Sequence, residues 1–299
     1  MYCVRLKSAK QVTNGHRLGG VGYAILFWAL AGNLTPALAQ TASAPQGPSS
    51  TGGETIWVTT TQRLKTRVFE SAGLSAHPIL IVIAHGDSPD GPPTYQYRFA
   101  ATVAAAVPDV VAAAILRPGY SDGDDRSDGV RGETTGDNYT PEVIDAVVTA
   151  ISELKTRYHP GRVVLVGHSG GAAIMGDLLG KGEPVADAAL LVSCPCDLAE
   201  WRKHMGTVKG GSIWERPVRS LSPLTLVDGI SASTKVWMLV GGDDQITPPA
   251  LTLAYAEALR NHRITVNATV APGLSHNILL EPVAIDRLKE VVSAIGAGH

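Results

Sequence analysis

Aromatic residues are scarce in this 299-residue sequence, where Phe, Trp and Tyr together make up 5%. Surfaces that stack nucleobases or sugar rings need such side chains, so the composition gives little support to a protein of that kind. An excess of basic residues is also missing. Residues 1–39 hold four of the 25 Lys and Arg residues and none of the 27 Asp and Glu residues, which leaves a formal charge of −6 on the remainder. A mildly acidic chain gives no reason to expect nucleic acid or anionic lipid as a partner.

The first 39 residues have the pattern of an export signal. Four basic residues precede an apolar run of about sixteen residues, GGVGYAILFWALAGNL, and Ala37-Leu38-Ala39 follows it. This order predicts a secretory signal peptide that is cut after Ala39. An uncleaved membrane anchor is the alternative, but a spanning helix needs roughly 20 apolar residues. We therefore expect an exported chain, periplasmic or secreted, with no stable membrane anchor after cleavage.

Cysteine is the other scarce residue, with three in the chain. Cys3 lies in the predicted signal peptide, which leaves Cys194 and Cys196 in the stretch VSCPCD. An exported chain with two cysteines invites a disulfide. A ring that encloses a single proline is tight, however, so we expect two packed and unbonded side chains. Metal binding would need two further ligands, for which the sequence offers no clear candidate.

Strands and helices alternate along the rest of the chain. Residues 40–53 are rich in Ser, Gly, Pro and Ala and predict a flexible linker. A strand hairpin is predicted over 54–71. Further strands are predicted at 77–84, 109–120, 162–166, 188–193, 234–240 and 264–270, and helices are predicted at 94–107, 140–158, 171–180, 249–261 and 282–295. This alternation predicts one α/β domain over 54–299, with a mostly parallel central sheet covered by helices on both faces. The segment 197–233 shows no clear strand and is predicted to be a small lid-like insertion.

Ser169 lies where an apolar strand gives way to a helix, in VVLVGHSGGAA. The stretch matches G-x-S-x-G, whose glycines permit a turn that exposes the serine at the end of a strand. The helix N-terminus beneath such a serine favours developing negative charge. The pattern predicts that Ser169 is a nucleophile.

A serine nucleophile needs a base, and His276 is the best-placed histidine. It lies in VAPGLSHN after the predicted strand 264–270, at the same sheet edge as Ser169. His168 adjoins Ser169, but neighbouring side chains on this turn point apart, which favours a packing role for it. The base in turn needs a carboxylate.

Three aspartates follow strand ends and are candidates for that carboxylate: Asp243, Asp244 and Asp197. Two backbone N–H groups should hold the oxyanion of the reaction. Gly170 follows the nucleophile and supplies one, and Asp87, in AHGDS after the first central strand, supplies the other. We expect the Asp87 side chain to point away, because only its N–H is needed.

These residues carry a resemblance to the alpha/beta hydrolase superfamily, whose triad has the order Ser, acid, His. The stretches AHGD, RPGYSDGD, GHSGG, GGDDQITPP and GLSH resemble its motifs, over about residues 54–297. The acidic end of RPGYSDGD departs from the pattern. Because the family commonly has G-x-x-D-x-x-x-P around its acid, the resemblance favours Asp244, with Asp243 and Asp197 as alternatives.

The resemblance implies a carboxylesterase-like serine hydrolase that acts on a small-molecule acyl substrate through an acyl-serine intermediate and needs no cofactor. Peptidase-like or acyltransferase-like use of the same triad stays open, as does a non-catalytic binding protein on the same fold. No metal site is expected either. Asp122, Asp124 and Glu133 fall in an EF-hand register, but Arg126 and Ser127 stand where an oxygen ligand and a glycine are needed, so we predict a solvated acidic loop.

Overall fold

The computed structural model describes residues 52–59, 62–182 and 185–296. The predicted signal peptide 1–39 lies outside these ranges, and so does the predicted linker 40–53 except for its last two residues. The strands are β1 (Glu54–Thr59), β2 (Arg63–Glu70), β3 (Ile79–Ala84), β4 (Val110–Ile115), β5 (Arg162–His168), β6 (Ala188–Val192), β7 (Lys235–Gly241) and β8 (Thr265–Ala271). The helices are α1 (Tyr95–Ala106), α2 (Pro141–Tyr158), α3 (Gly170–Gly180), α4 (Leu198–Lys209), α5 (Pro249–Asn261) and α6 (Pro282–Gly296).

The strands form one sheet in the order β1-β2-β4-β3-β5-β6-β7-β8. β1 and β2 form the predicted antiparallel hairpin, and β2 also pairs antiparallel with β4. All the other neighbouring strands are parallel. Parallel strands end at one edge of a sheet, so the loops after β3, β5, β7 and β8 emerge together at that edge.

An apolar core covers each face of the sheet. One core includes residues of α2, α3 and α5, and the other includes residues of α1 and α6. β5 contributes to both, because Leu165 belongs to the first core and Val164 and Val166 to the second. A strand buried on both faces has a continuous apolar sequence, which explains the run VVLV. The predicted fold class is confirmed.

The segment 197–233 contains α4 and two short 3-10 helices, Ser212–Glu215 and Pro223–Gly229. As predicted, no strand forms within this described segment. α4 packs against the core: Trp201 is 1% exposed, and its indole N–H donates to the Ile246 carbonyl at 2.9 Å. A lid role for the segment stays a prediction.

Cys194 and Cys196 form a disulfide, and both side chains are fully buried. The expectation of two unbonded cysteines is therefore wrong. The chain turns sharply after β6, where Ser193 has φ of 50°. The turn leaves the two cysteine Cα atoms 5.1 Å apart, a usual separation for a disulfide.

Asp177 on α3 is a buried carboxylic acid whose two oxygens have no hydrogen-bond partner among the described residues. Burial raises its pKa well above the usual value. A raised pKa in the folded state means that stability is fully present below the unfolded pKa of about 3.9 and is lost as the pH rises toward the folded value. We expect Asp177→Asn to raise the free energy of unfolding above that of the wild type, and to do so by more at pH 8 than at pH 5.

Urea unfolding of both proteins at the two pH values measures this effect. Asp286→Asn is the matched control, because Asp286 is exposed on α6. An Asp177→Asn variant whose stability changes with pH as steeply as that of the wild type would contradict the assignment.

Candidate active site

The five predicted site residues all lie at the carboxyl edge of the sheet. Asp87 follows β3, Ser169 follows β5, Asp244 follows β7 and His276 follows β8. Gly170 begins α3, directly after the serine. The parallel strand order therefore gathers residues from four separate loops.

Ser169 occupies a strained turn between β5 and α3, with φ of 53° and ψ of −122°. Few residues other than glycine adopt a positive φ, and such outliers concentrate at functional sites. Close packing explains the two flanking glycines. A β-carbon on Gly167 would lie 2.5 Å from the Ala172 Cα, and one on Gly171 would overlap the Ala84 carbonyl oxygen. This is the strand–turn–helix geometry that the sequence predicts.

His276 is paired with Asp244. Its Nδ1 lies 3.1 Å and 2.9 Å from the two carboxylate oxygens of Asp244. The same carboxylate accepts bonds from the backbone N–H groups of Ile246 at 2.9 Å and Thr247 at 2.8 Å, and from the Thr247 hydroxyl at 2.7 Å. An ionised carboxylate only accepts, so this network assigns the proton to His276 Nδ1 and leaves Nε2 as a proton acceptor.

The environment of Asp244 favours its ionised form. Burial acts to raise the pKa of this carboxyl, but the hydrogen bond and charge of His276 and the bonds from Thr247 outweigh it, so the pKa lies below its usual value. An ionised Asp244 stabilises a protonated His276. Sequence reasoning misses Thr247, because a threonine three positions after an aspartate is also an ordinary turn residue.

The two alternative acids do not contact His276. Asp243 is exposed, and its backbone N–H donates to the Leu274 carbonyl at 2.9 Å. Asp197 caps the N-terminus of α4 by accepting the Glu200 N–H at 3.1 Å. Of the three candidates, only Asp244 is hydrogen bonded to the base.

Ser169 has no hydrogen bond to His276 among the described residues, although the residue before it lies beside the base. The ring of His168, the residue before Ser169, is centred 5.1 Å from the ring of His276. A bond between nucleophile and base often tightens only in the complex with substrate. The structure thus pairs the acid and the base directly, and the catalytic role of all three residues stays a prediction.

Asp87 lies in the loop between β3 and α1, which we call the oxyanion loop, and its side chain has an unusual environment. Its carboxylate accepts bonds from Arg117 Nη1 at 2.9 Å, the Tyr120 hydroxyl at 3.2 Å, the Tyr139 hydroxyl at 2.7 Å and the Gly136 N–H at 2.9 Å. The side chain of Arg117 is fully buried, and that of Asp87 is 5% exposed. Four donors, one of them a buried cation, therefore hold this carboxylate in a fixed position.

The Asp87 side chain does not turn away from the nucleophile turn, contrary to our expectation. A β-carbon on Gly170 would lie 2.7 Å from Asp87 Oδ1 and 2.7 Å from the Tyr139 hydroxyl. Glycine at this position therefore makes room for the carboxylate. The backbone N–H groups of Asp87 and Gly170 donate no hydrogen bond within the described ranges, as an oxyanion hole requires.

His85 shapes the loop that carries Asp87. It is fully buried, its Nδ1 donates to the Gly86 carbonyl at 2.7 Å, and its Nε2 accepts the Arg117 N–H at 3.0 Å. Burial, reinforced by the charge of Arg117, lowers its pKa well below the usual value. His85 is therefore neutral, and its two hydrogen bonds fix the shape of the loop.

A pocket of about 490 Å³ opens beside Asp87. Tyr120, Arg131, Thr134 and Trp214 contribute to its wall. Arg131 lies over the Tyr120 ring, 4.8 Å from its centroid. The pocket combines aromatic faces, hydroxyl groups and one guanidinium next to the predicted oxyanion donor.

No group of three or more His, Cys, Asp and Glu side chains suited to a metal ion occurs in the described part of the chain.

The acidic loop after β4 is predicted to be solvated, but part of it is buried. Asp122 is buried, where it pairs with Lys65 at 2.9 Å and accepts the Tyr97 hydroxyl at 2.9 Å. Lys65 also pairs with Asp125 at 2.7 Å. None of the described helices has both the length and the apolar character that a membrane-spanning helix needs.

Comparison with known sequences finds one family. The model of the alpha/beta hydrolase family matches residues 81–223. This range includes Ser169 and ends before Asp244 and His276. Among curated proteins, no sequence matches the chain.

Solved structures share the fold at low sequence identity. Est1E from Butyrivibrio proteoclasticus with bound ferulic acid has a TM-score of 0.62 at 14% identity, over 80% of this chain and 98% of that one. An esterase from Pyrococcus furiosus has a TM-score of 0.60 at 14% identity, over 81% and 90%. An acylaminoacyl peptidase from Pyrococcus horikoshii has a TM-score of 0.62 at 13% identity over 82% of this chain, which spans only 41% of the peptidase. The family match places residues 81–223 in the alpha/beta hydrolase family, and the solved structures share the fold of the chain.

Proposed function

We propose that this protein is an exported serine hydrolase that cleaves a carboxylic ester through an acyl-serine intermediate. The hydrogen-bonded pair of His276 and Asp244, next to Ser169 on its strained turn, carries the proposal. A base oriented by a buried carboxylate is what a serine hydroxyl needs to become nucleophilic.

The proposed reaction has two halves. His276 Nε2 takes the proton of Ser169 Oγ, and Oγ attacks the ester carbonyl. The N–H groups of Gly170 and Asp87 hold the oxyanion. His276 then gives its proton to the leaving alkoxide, and the same steps with water as nucleophile release the acid and restore the serine. None of these steps requires a metal or an organic cofactor.

The choice of leaving group is a separate part of the proposal, because the same triad chemistry can cleave esters and amides. Structural neighbours include an esterase and an acylaminoacyl peptidase, so amide cleavage is the second candidate. We favour the ester because two neighbours that match over nearly their whole length are an esterase and a protein with bound ferulic acid. Acyl transfer uses the same intermediate with an acceptor other than water. A non-catalytic binding protein would need none of the pairing at His276.

The proposal includes export, on the basis of the N-terminal sequence. The basic start, the short apolar run and Ala37-Leu38-Ala39 support cleavage after Ala39 and a periplasmic or secreted mature chain. The pocket of about 490 Å³ beside Asp87 has a volume typical of small-molecule sites, which supports a small-molecule acyl substrate.

The decisive test of the proposed nucleophile is covalent labelling. We expect a fluorophosphonate probe to add once per folded chain, at Ser169, and Ser169→Ala to abolish both the label and the hydrolysis of p-nitrophenyl butyrate. Mass spectrometry of the intact protein and its peptides measures the adduct. Ser152→Ala is the matched control, because Ser152 is exposed on α2. A folded wild-type protein that takes no label would favour the binding protein instead.

A further inference from the structure

A chain of hydrogen bonds joins the oxyanion loop to the loop that carries His276. The Gly86 N–H donates to the Tyr95 hydroxyl at 2.5 Å. The Tyr95 hydroxyl lies 2.8 Å from His168 Nδ1, and His168 Nε2 lies 3.0 Å from the His276 carbonyl oxygen. Gly86 immediately precedes Asp87, so the chain connects one predicted oxyanion donor with the predicted base.

When His168 is neutral, the two ends of this hydrogen-bond chain fix the direction of every bond in it. A backbone N–H can only donate, so the Tyr95 oxygen accepts from Gly86 and uses its own proton toward His168. A carbonyl oxygen can only accept, so His168 carries its proton on Nε2 and keeps Nδ1 as an acceptor. Of the two neutral forms of His168, only the Nε2–H form satisfies all three bonds.

The surroundings of His168 and Tyr95 maintain that state. Burial, followed by the proximity of His276, lowers the pKa of His168 to about 4, so the ring is neutral at neutral pH. Burial raises the pKa of Tyr95 and keeps its hydroxyl protonated. The Ser193 hydroxyl donates a second bond to the His276 carbonyl, at 3.1 Å.

The hydrogen-bond chain also passes directly beside the predicted nucleophile. His168 is the residue before Ser169, and a β-carbon on Gly86 would lie 2.8 Å from Ser169 Cβ and 3.1 Å from the Tyr95 hydroxyl. Three loops that follow different strands therefore meet at Tyr95 and His168. Neither side chain belongs to the triad or to the oxyanion donors.

We infer that Tyr95 and His168 are positioning residues, which hold the oxyanion loop and the His276 loop in a fixed position relative to each other and to Ser169. The inference rests on the proposed function, since it assigns roles within the same site. Tyr95 fixes Gly86, and thereby the direction of the Asp87 N–H. His168 fixes the backbone of His276, and thereby the position of its ring.

Steady-state hydrolysis of p-nitrophenyl butyrate tests this inference. We expect Tyr95→Phe and His168→Leu each to lower kcat about tenfold to a hundredfold with KM close to the wild-type value, because misplaced catalytic groups reduce the rate and not the binding. The double variant should lose little more than the worse single variant, since both changes interrupt one chain.

Two further variants separate positioning from general damage to the fold. His168→Gln supplies a side-chain N–H toward the His276 carbonyl and an oxygen toward Tyr95, so we expect it to recover most of the kcat that His168→Leu loses. Tyr97→Phe makes the same chemical change on the same helix, removes the bond to Asp122 instead, and should keep the wild-type kcat. A wild-type kcat in Tyr95→Phe, or an equal loss in Tyr97→Phe, would overturn the inference.

A measurement without substrate distinguishes failure of this inference from failure of the proposed function. Heteronuclear NMR of histidine-labelled protein should show His168 neutral with its proton on Nε2, and Tyr95→Phe should perturb that signal. A proton on Nδ1 would overturn the hydrogen-bond chain whatever the activity. If Ser169 takes no fluorophosphonate label while His168 shows the expected form, the proposed function is wrong but the hydrogen-bond chain is supported.

Discussion

Asp244→Asn is expected to lower kcat for p-nitrophenyl butyrate about 10⁴-fold and to leave KM close to the wild-type value. The asparagine amide can present an N–H where the carboxylate accepts one, which moves the proton of His276 from Nδ1 to Nε2. A base in that form cannot take the proton of Ser169. The imidazolium also loses the anion that stabilises it, which in the wild type lies 2.9 Å from Nδ1.

The neighbouring aspartates provide matched controls for this experiment. Asp243→Asn changes an exposed side chain one residue away, and Asp197→Asn changes the cap of α4. We expect both to retain the wild-type kcat. If Asp197→Asn or Asp243→Asn abolished hydrolysis while Asp244→Asn retained it, the acid of the triad would have to be reassigned.

Arg117→Met is expected to destabilise the protein by about 3–5 kcal/mol, because it leaves the carboxylate of Asp87 buried without a counter-ion. The side chain of Arg117 is fully buried and that of Asp87 is 5% exposed, so solvent cannot replace the lost cation. An unpaired negative charge next to Gly170 would also oppose the oxyanion, so kcat should fall in whatever fraction remains folded.

The double variant Arg117→Met/Asp87→Asn separates these causes. It removes the buried charge as well as its partner, so we expect it to recover most of the lost stability in urea unfolding. Arg63→Met is the control: it breaks an ion pair of 3.4 Å with Asp128 whose side chains are 61% and 43% exposed, and such pairs contribute about 0–1 kcal/mol. Equal losses in Arg117→Met and Arg63→Met would contradict a special role for the buried pair.

Local patterns account for the parts of this structure that the sequence predicts well. The apolar run VVLV, the glycines around Ser169 and the alternation of strands with helices each report on a few neighbouring residues, and the sheet follows from them. The positions of Ser169, Asp244 and His276 after strand ends then follow from the parallel order, because all such ends meet at one edge.

The residues that the sequence does not reveal depend on contacts between distant segments. The carboxylate of Asp87 is held by side chains from the loop after β4 and from the segment before α2, and no spacing rule links these positions. Tyr95 is in the same situation, because its hydroxyl matters only once His168 lies 2.8 Å away. The burial of Asp122 depends in the same manner on Lys65 in a different strand.

The disulfide between Cys194 and Cys196 closes a loop with a single residue between the two cysteines. The entropy that a crosslink removes from an unfolded chain grows with the length of the loop it closes, so this bond restricts the unfolded chain very little. Its influence is local, on the turn that includes Ser193 and leads from β6 to α4. The sheet as a whole should therefore form in reducing and in oxidising surroundings alike, and folding need not wait for cysteine oxidation.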